Sequence, residues 1–214
     1  MAYTSVFNIQ ELLEHILHFL LIDKSLYTAL FVCRLWYRCS APILWKRVDL
    51  KRSNAQKKFM KIIREEQKPV YCSIVTHLEI SDYHLSDKKF KSIVGLFSNI
   101  VHLNLHHSVR FSDKTLNRIA ESYPNLKYLN LGGYDGNRLI TDKGLYAIAN
   151  SCHKLEYLSI SDRKKFSEIS IWNIIHSCLR IQEFVIYECK ISNTAIKEIE
   201  LYLKIKYINP GTAT

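Results

Sequence analysis

The sequence predicts an α/β protein, a small all-α module of three helices followed by a right-handed α/β solenoid with a short parallel sheet. Three observations predict it. A strand-like segment recurs through the last two-thirds of the chain. A polar pair suited to capping and an apolar pattern of helical spacing follow each copy. Before residue 47 only helical periodicity is present. A chain of 214 residues, 48% hydrophobic and 23% charged, has room for such a module and a repeat array, and it has the composition of an ordered globular protein.

The module (1–47) opens with Ile9, Leu12, Leu13, Ile16, Leu17 and Leu20, which share one helical stripe, and Asn8 and Glu11 have capping-box spacing. Asp23 is expected to open a second helix through Leu26, Ala29 and Leu30. A third should run through Cys33 and Trp36 towards Ser40, with Pro42 ending it before Leu44-Trp45. The stretch Phe31 to Trp45 holds two of the three tryptophans beside Val32, Leu35 and Leu44. So much apolar surface must pack on the rest of the chain or form one half of an interface.

Residues 48–76 read as a divergent first repeat: Val48-Asp49-Leu50, then a helix-like run AQKKFMKIIREE, then Pro69-Val70. Half of the net charge of +10 lies in residues 51–76, which is expected of a solvated helix face. The alternative, a nucleic-acid contact, lacks interleaved aromatic residues and ranks below it.

From 77 to 214 five strand segments align: HLEI (77–80), HLNL (102–105), YLNL (128–131), YLSI (157–160) and EFVI (183–186). A damaged sixth copy begins at Tyr207. Ser86-Asp87, Ser112-Asp113, Thr141-Asp142, Ser167-Glu168 and Ser192-Asn193 stand where helix caps belong, each followed by aliphatics at helical spacing. Gly132 to Gly136 lengthens one repeat to 29 residues and reads as a loop insertion. The pattern stops at Asn209-Pro210-Gly211, which predicts either a frayed last repeat or a longer natural chain.

Several chemistries are not expected. No apolar run approaches the roughly 20 residues of a membrane span, and no basic-then-apolar start marks a signal peptide. Six cysteines without CxxC spacing are expected to be reduced thiols, Cys152 and Cys178 as buried fillers and Cys33 as core. His102, His106 and His107, like His15 and His18, lack metal-ligand spacing and are expected at the surface. No nucleophile, zinc-protease or phosphate-loop motif occurs, so no enzyme, catalytic residue, metal or cofactor is expected.

The repeats resemble leucine-rich repeats, and ITDKGLYAIANSCHKLEYLSI (140–160) is similar to the cysteine-containing subclass. The subclass cysteine is matched by Cys189, with Tyr83, Ser108, Tyr134 and Arg163 at the equivalent positions. The segment ELLEHILHFLLIDKSLYTALFVCRLWYRCSAPILW resembles an F-box through Glu11-Leu12-Leu13, Ile16, Leu20, Asp23, Leu26, Val32-Cys33-Arg34-x-Trp36 and Leu44-Trp45. Asn8-Ile9-Gln10 stands where that family usually has Leu-Pro. The resemblance implies a substrate receptor of a Skp–cullin–F-box ubiquitin ligase, working in the cytoplasm or nucleus. Its partners would be a Skp-type adaptor, through it a cullin, and a protein substrate.

Adaptor contacts, or the packing beneath them, would then fall to Ile9, Leu12, Leu13, Leu17, Leu26, Val32 and Trp36. Trp45 would pack the module against the first repeat. On the concave face, substrate would meet His77, His102, Asn104, Tyr128, Asn130, Tyr157 and Tyr207. Tyrosine also has good strand propensity, so plain solvated sheet positions are the other reading of these residues. Two further readings stand beside the receptor: a leucine-rich-repeat scaffold without ligase work, and the nucleic-acid contact through 51–76.

Overall fold

The computed structural model describes residues 10–22, 25–50, 53–64, 72–133, 139–203 and 207–209. Three helices come first, α1 (Gln10–Ile22), α2 (Leu26–Ala29) and α3 (Arg34–Trp45). Leu13 and Leu17 of α1 meet Leu26 and Ala29 of α2 and Cys39 of α3 in a small core, with Leu20, Leu35, Trp36, Ile43 and Leu44 packed around it. The stripe read from the sequence is therefore the packed face of α1.

Two boundaries differ from expectation. The second helix is a single turn that starts after Ser25, and Asp23 lies outside the described residues. Pro42 does not end the third helix but sits inside it. Its missing N–H costs one bond to the fourth residue upstream. Because Cys39, Ser40 and Ala41 are buried around it, packing holds the backbone helical through that gap. Ser40 Oγ donates to the Trp36 carbonyl at 2.6 Å, tying down the turn just before the proline.

The repeats follow as strand–loop–helix units. Among the described residues seven three-residue strands, β1 (Arg47–Asp49), β2 (His77–Glu79), β3 (His102–Asn104), β4 (Tyr128–Asn130), β5 (Tyr157–Ser159), β6 (Glu183–Val185) and β7 (Tyr207–Asn209), pair in chain order as one parallel sheet. The helices between them are α4 (Ser53–Arg64), α5 (Asp87–Leu96), α6 (Asp113–Ser122), α7 (Asp142–Ser151), α8 (Glu168–Ser177) and α9 (Asn193–Leu203). The chain is thus a helical module followed by an α/β solenoid-like array.

Register is uniform: Leu78, Leu103, Leu129, Leu158 and Phe184 align and are fully buried, as are the next aliphatics Ile80, Leu105, Leu131, Ile160 and Ile186. They run into Phe90, Ile93, Leu116, Ile119, Leu145, Ile148, Ile171 and Ile174 from the helices, so one core extends through the array. Each repeat covers its neighbour's apolar face. Within the basic run 51–76, the described part of α4 turns its charges outward: Gln56 and Met60 are buried, while Lys57, Lys58 and Lys61 are exposed.

The caps do more than the sequence suggests. Ser86, Ser112, Thr141 and Ser167 accept a backbone N–H of the first helical turn, as expected. The acidic partner of each pair reaches instead to the next repeat. Asp87 accepts from Ser112 N, Ser112 Oγ and Thr115 Oγ1 at 2.6–2.9 Å. Asp113 accepts from Thr141 N and Oγ1, Asp142 from Ser167 N and Glu168 from Ser192 N. Burial pushes the Asp87 and Asp142 carboxyls up, but these hydrogen bonds outweigh it and hold both below the ordinary carboxylate range.

A second ladder runs on the far side of the strands. Ser108 Oγ donates to the Ile80 carbonyl (2.6 Å), Arg163 Nε to Leu131 (2.7 Å) and Cys189 Sγ to Ile160 (3.1 Å). Three different side chains thus perform one task at one repeat position, satisfying the first carbonyl beyond the preceding repeat's strand. Tyr134 lies outside the described residues. Cys152 and Cys178 are buried, and burial pushes both thiols up to about 12, as befits fillers.

Candidate functional site

Two surfaces stand out, one on the module and one on the sheet. On the module, the structure separates residues whose roles the sequence leaves merged. Leu13, Leu17 and Leu26 belong to the core, and Trp36 is half-buried against it. Leu12, at 44% exposure, and Val32, at 58%, lie outside. Ile9 lies outside the described residues.

The same surface carries residues the sequence reading missed. Phe19, Tyr27 and Phe31 are exposed, at 72% for Phe31, and Tyr27 meets Phe31 edge to face at 5.3 Å between ring centroids. Placing Leu26 and Ala29 inward on a helical wheel would have turned Tyr27 outward. Phe31 adjoins a shallow hollow that Leu30, Cys33, Arg34, Tyr37 and Arg38 complete.

Two expectations are corrected here. Cys33 is exposed at the start of α3, not part of the core, because its extended backbone precedes the first helical turn. Trp45 is 45% exposed and belongs to neither the module's core nor the array's. Backbone and charge tie the joint, where α3 also lies against residues 72–74. The Lys46 carbonyl accepts from Thr76 N and His77 N, β1 pairs with β2, and Arg47 ion-pairs with the buried Glu79.

On the sheet, strand alternation turns His77, His102, Tyr128, Tyr157 and Glu183 away from the buried leucines. The four rings stack in one column, with centroids 5.1, 3.8 and 4.1 Å apart and planes within 20° of parallel. These rings are half-buried by one another, so the freely solvated alternative does not describe them. The backbone of Tyr207 continues the row opposite Glu183, and its side chain lies outside the described residues.

His102, His106 and His107 are correspondingly not free surface histidines. Burial, aided by His77 and opposed by Glu79, lowers His102 to about 4. Burial likewise lowers His77, with Arg47 next among the causes. His106 stacks on His107 at 3.7 Å, and His107 faces Asp82 at 3.2 Å. Burial thus disfavours a charge on either imidazole of the column, and two phenol rings complete the stack. Burial first, then Tyr128 and Glu183, pushes the Tyr157 phenol well above its ordinary range.

The second strand column is less available than expected. Asn130 is only 9% exposed, and its Oδ1 accepts from Gly132 N at 2.9 Å. Asn104 Oδ1 accepts from His106 N at 3.0 Å. Both amides lock the turn after their strand, and short polar side chains make such local bonds readily. Gly132 and Gly133 also do more than lengthen a loop. A Cβ on Gly133 would stand 3.0 Å from the His107 backbone, and Gly132 lies against Asn130, Ser159 and His106. The remainder of that insertion, 134–138, lies outside the described residues.

Just past the strands, Asp82, His107, Asp162 and Glu188 all take φ of 54–61° at one repeat position, where Gly133 also has positive φ. An Asp/Gly preference was the available signal, and His107 and Glu188 hide it. Among the described residues no group of three or more metal-ligating side chains gathers, and no helix is long and apolar enough to cross a membrane.

Residues 10–51 match the F-box-like family model, so the helical module is F-box-like. Among solved structures, the tropomodulin C-terminal domain of Caenorhabditis elegans is 13% identical with a TM-score of 0.45. That match covers 69% of this chain and 90% of that one. A chain of the yeast Rad7 and Elc1 complex is 17% identical with a TM-score of 0.46, over 75% of this chain and 47% of that one. This chain therefore spans about half the length of the latter.

Proposed function

We propose that this chain is the substrate receptor of a Skp–cullin–F-box ubiquitin ligase, non-catalytic itself and working in the cytoplasm or nucleus. The observation that carries the reading is an F-box-like module whose exposed apolar residues have no cover among the described residues. Its core is small, and leucine, valine and phenylalanine turned to solvent at this density suit a protein partner. We assign the Skp-type adaptor to Leu12, Tyr27, Phe31 and Val32, with Trp36 shaping the surface from beneath and Leu13, Leu17 and Leu26 holding it in place. A cullin joins through the adaptor.

In this reading residues 1–47 are the F-box, 48–76 a divergent first repeat and 77–214 leucine-rich repeats of the cysteine-containing type. Their concave face, centred on His77, His102, Tyr128 and Tyr157, receives the protein substrate. Asn104 and Asn130 shape that face through their turns more than they contact a ligand.

Co-purification with a Skp-type adaptor tests the first half. Val32→Asp should abolish the complex while leaving the circular dichroism spectrum and melting temperature of the free chain unchanged, because Val32 contributes nothing to the core. Trp36→Ala should also weaken it, by about 2–4 kcal/mol, with some loss of module stability. A chain that never co-purifies with the adaptor, or a Val32→Asp variant that binds normally, would remove the ligase assignment and leave a repeat scaffold.

A further inference from the structure

The ring column is bounded by charge. In the register of the sheet, Arg47 of β1 precedes His77, and Glu183 of β6 follows Tyr157. Between them stand four stacked rings, two of them imidazoles whose charged form burial disfavours. Five strand-to-strand steps separate the ends, about 24 Å, the length of roughly seven extended residues.

The two ends are not equivalent. Arg47 is neutralised by its ion pair with Glu79. Glu183 is the one acid in the row, is half-buried, and its carboxylate makes no hydrogen bond or ion pair among the described residues. One face of the Tyr157 ring is covered by Tyr128 at 4.1 Å, and its other neighbour in the row is the Glu183 carboxylate. A ring face beside an unpaired, partly desolvated carboxylate is the environment that a guanidinium or ammonium group satisfies twice, by charge and by its attraction to the ring.

We propose that Tyr157 and Glu183 form a cation-accepting subsite, which selects substrate segments that lie extended across the strands with an arginine or lysine at the β5–β6 end. The inference rests on the reading of this sheet face as the substrate surface. Charge complementarity names the occupant: among the described residues the row offers one unmatched negative charge and no unmatched positive one. The stack towards His77 accepts uncharged residues on the same segment, because ionising a half-buried imidazole there is disfavoured.

A phage-displayed library of random ten-residue peptides, panned on the full chain, reads the subsite directly. Retained peptides should be enriched in arginine and lysine. Glu183→Gln should erase that enrichment and weaken a retained arginine peptide about tenfold, and Glu183→Lys should turn it towards aspartate and glutamate. Tyr128→Ala separates the two levels of the argument. If it abolishes retention while Glu183→Gln leaves peptide composition unchanged, the sheet face stands and the cation subsite falls. If retention is indifferent to Tyr128→Ala, or nothing is retained, the substrate surface and the subsite both fall.

Discussion

The module and the repeat array solve the same problem with different means. In the module, five buried hydrophobic residues hold three helices, while Leu12, Phe19, Tyr27, Phe31, Val32 and Tyr37 face solvent. In the array, one core runs through every repeat, and two side-chain ladders close the polar ends of helices and strands. The difference teaches where stability resides. The array shares one continuous core among its repeats, though Ile169, Leu179 and Leu201 stay exposed on it, whereas the module rests on a small core of its own.

The comparison can be broken at its strongest point first. Leu129→Ala, in the centre of the continuous core, should cost about 2–5 kcal/mol and shift the main denaturant transition of the whole array. Leu17→Ala should cost about as much within the module, yet leave the array's transition in place. A single transition that moves equally in both variants would contradict the separation. An adaptor present in excess should restore the Leu17→Ala module by mass action and do nothing for Leu129→Ala.

Protons sharpen the contrast, because the strongly perturbed groups lie in the array. The folded state holds His102 at about 4, below its ordinary 6.5, so the unfolded chain binds that proton first. Array stability should therefore fall as pH drops from about 6.5 towards 4, with His77 acting in the same direction. The depressed Asp87 and Asp142 carboxyls add stability that is complete above their unfolded value, near 3.8, and is lost as pH falls through their folded values. Urea titrations at stepped pH would measure both. His102→Phe keeps the stacked ring and should flatten the upper part of the profile alone.

Smaller effects follow from the ladders. Asp87→Asn leaves the Ser112 and Thr115 donors with a weaker acceptor and should cost about 1–2 kcal/mol, with the acid limb of the profile reduced. Glu188 is exposed and held at positive φ, so Glu188→Gly relieves strain at the expense of a more flexible unfolded chain. A net gain of about 0.5 kcal/mol is expected, readable as a slight rise in melting temperature.

Periodicity made much of the fold legible. An apolar residue at the second position of each strand, leucine in β2 to β5, and an aliphatic two residues later in β1 to β6 fix register and core, and the Ser/Thr caps were readable for the same local reason. What escaped notice is what one chain segment cannot reveal about another. Asp87 and Asp113 look like members of their own caps, but they serve the caps of the following repeats. Pro42 looks like a stop, but buried neighbours carry the helix past it. Leu13 and Val32 are both apolar residues of one motif, and only the packing of three helices decides that the first is core and the second surface. The ring column was visible as residue types, whereas its stacking and burial emerge only when strands lie in register.

The anchoring around the longest repeat has a practical consequence. Gly133 donates to the Ser161 carbonyl on one side of the insertion, and Thr141 is clasped by Asp113 on the other. The two ends are fixed to different neighbouring repeats by contacts outside residues 134–138, with Ile140 buried in the core beside Thr141. That interval is therefore the natural port for engineering this scaffold. An epitope or a fluorescent reporter could be spliced there and displayed without disturbing the array on either side.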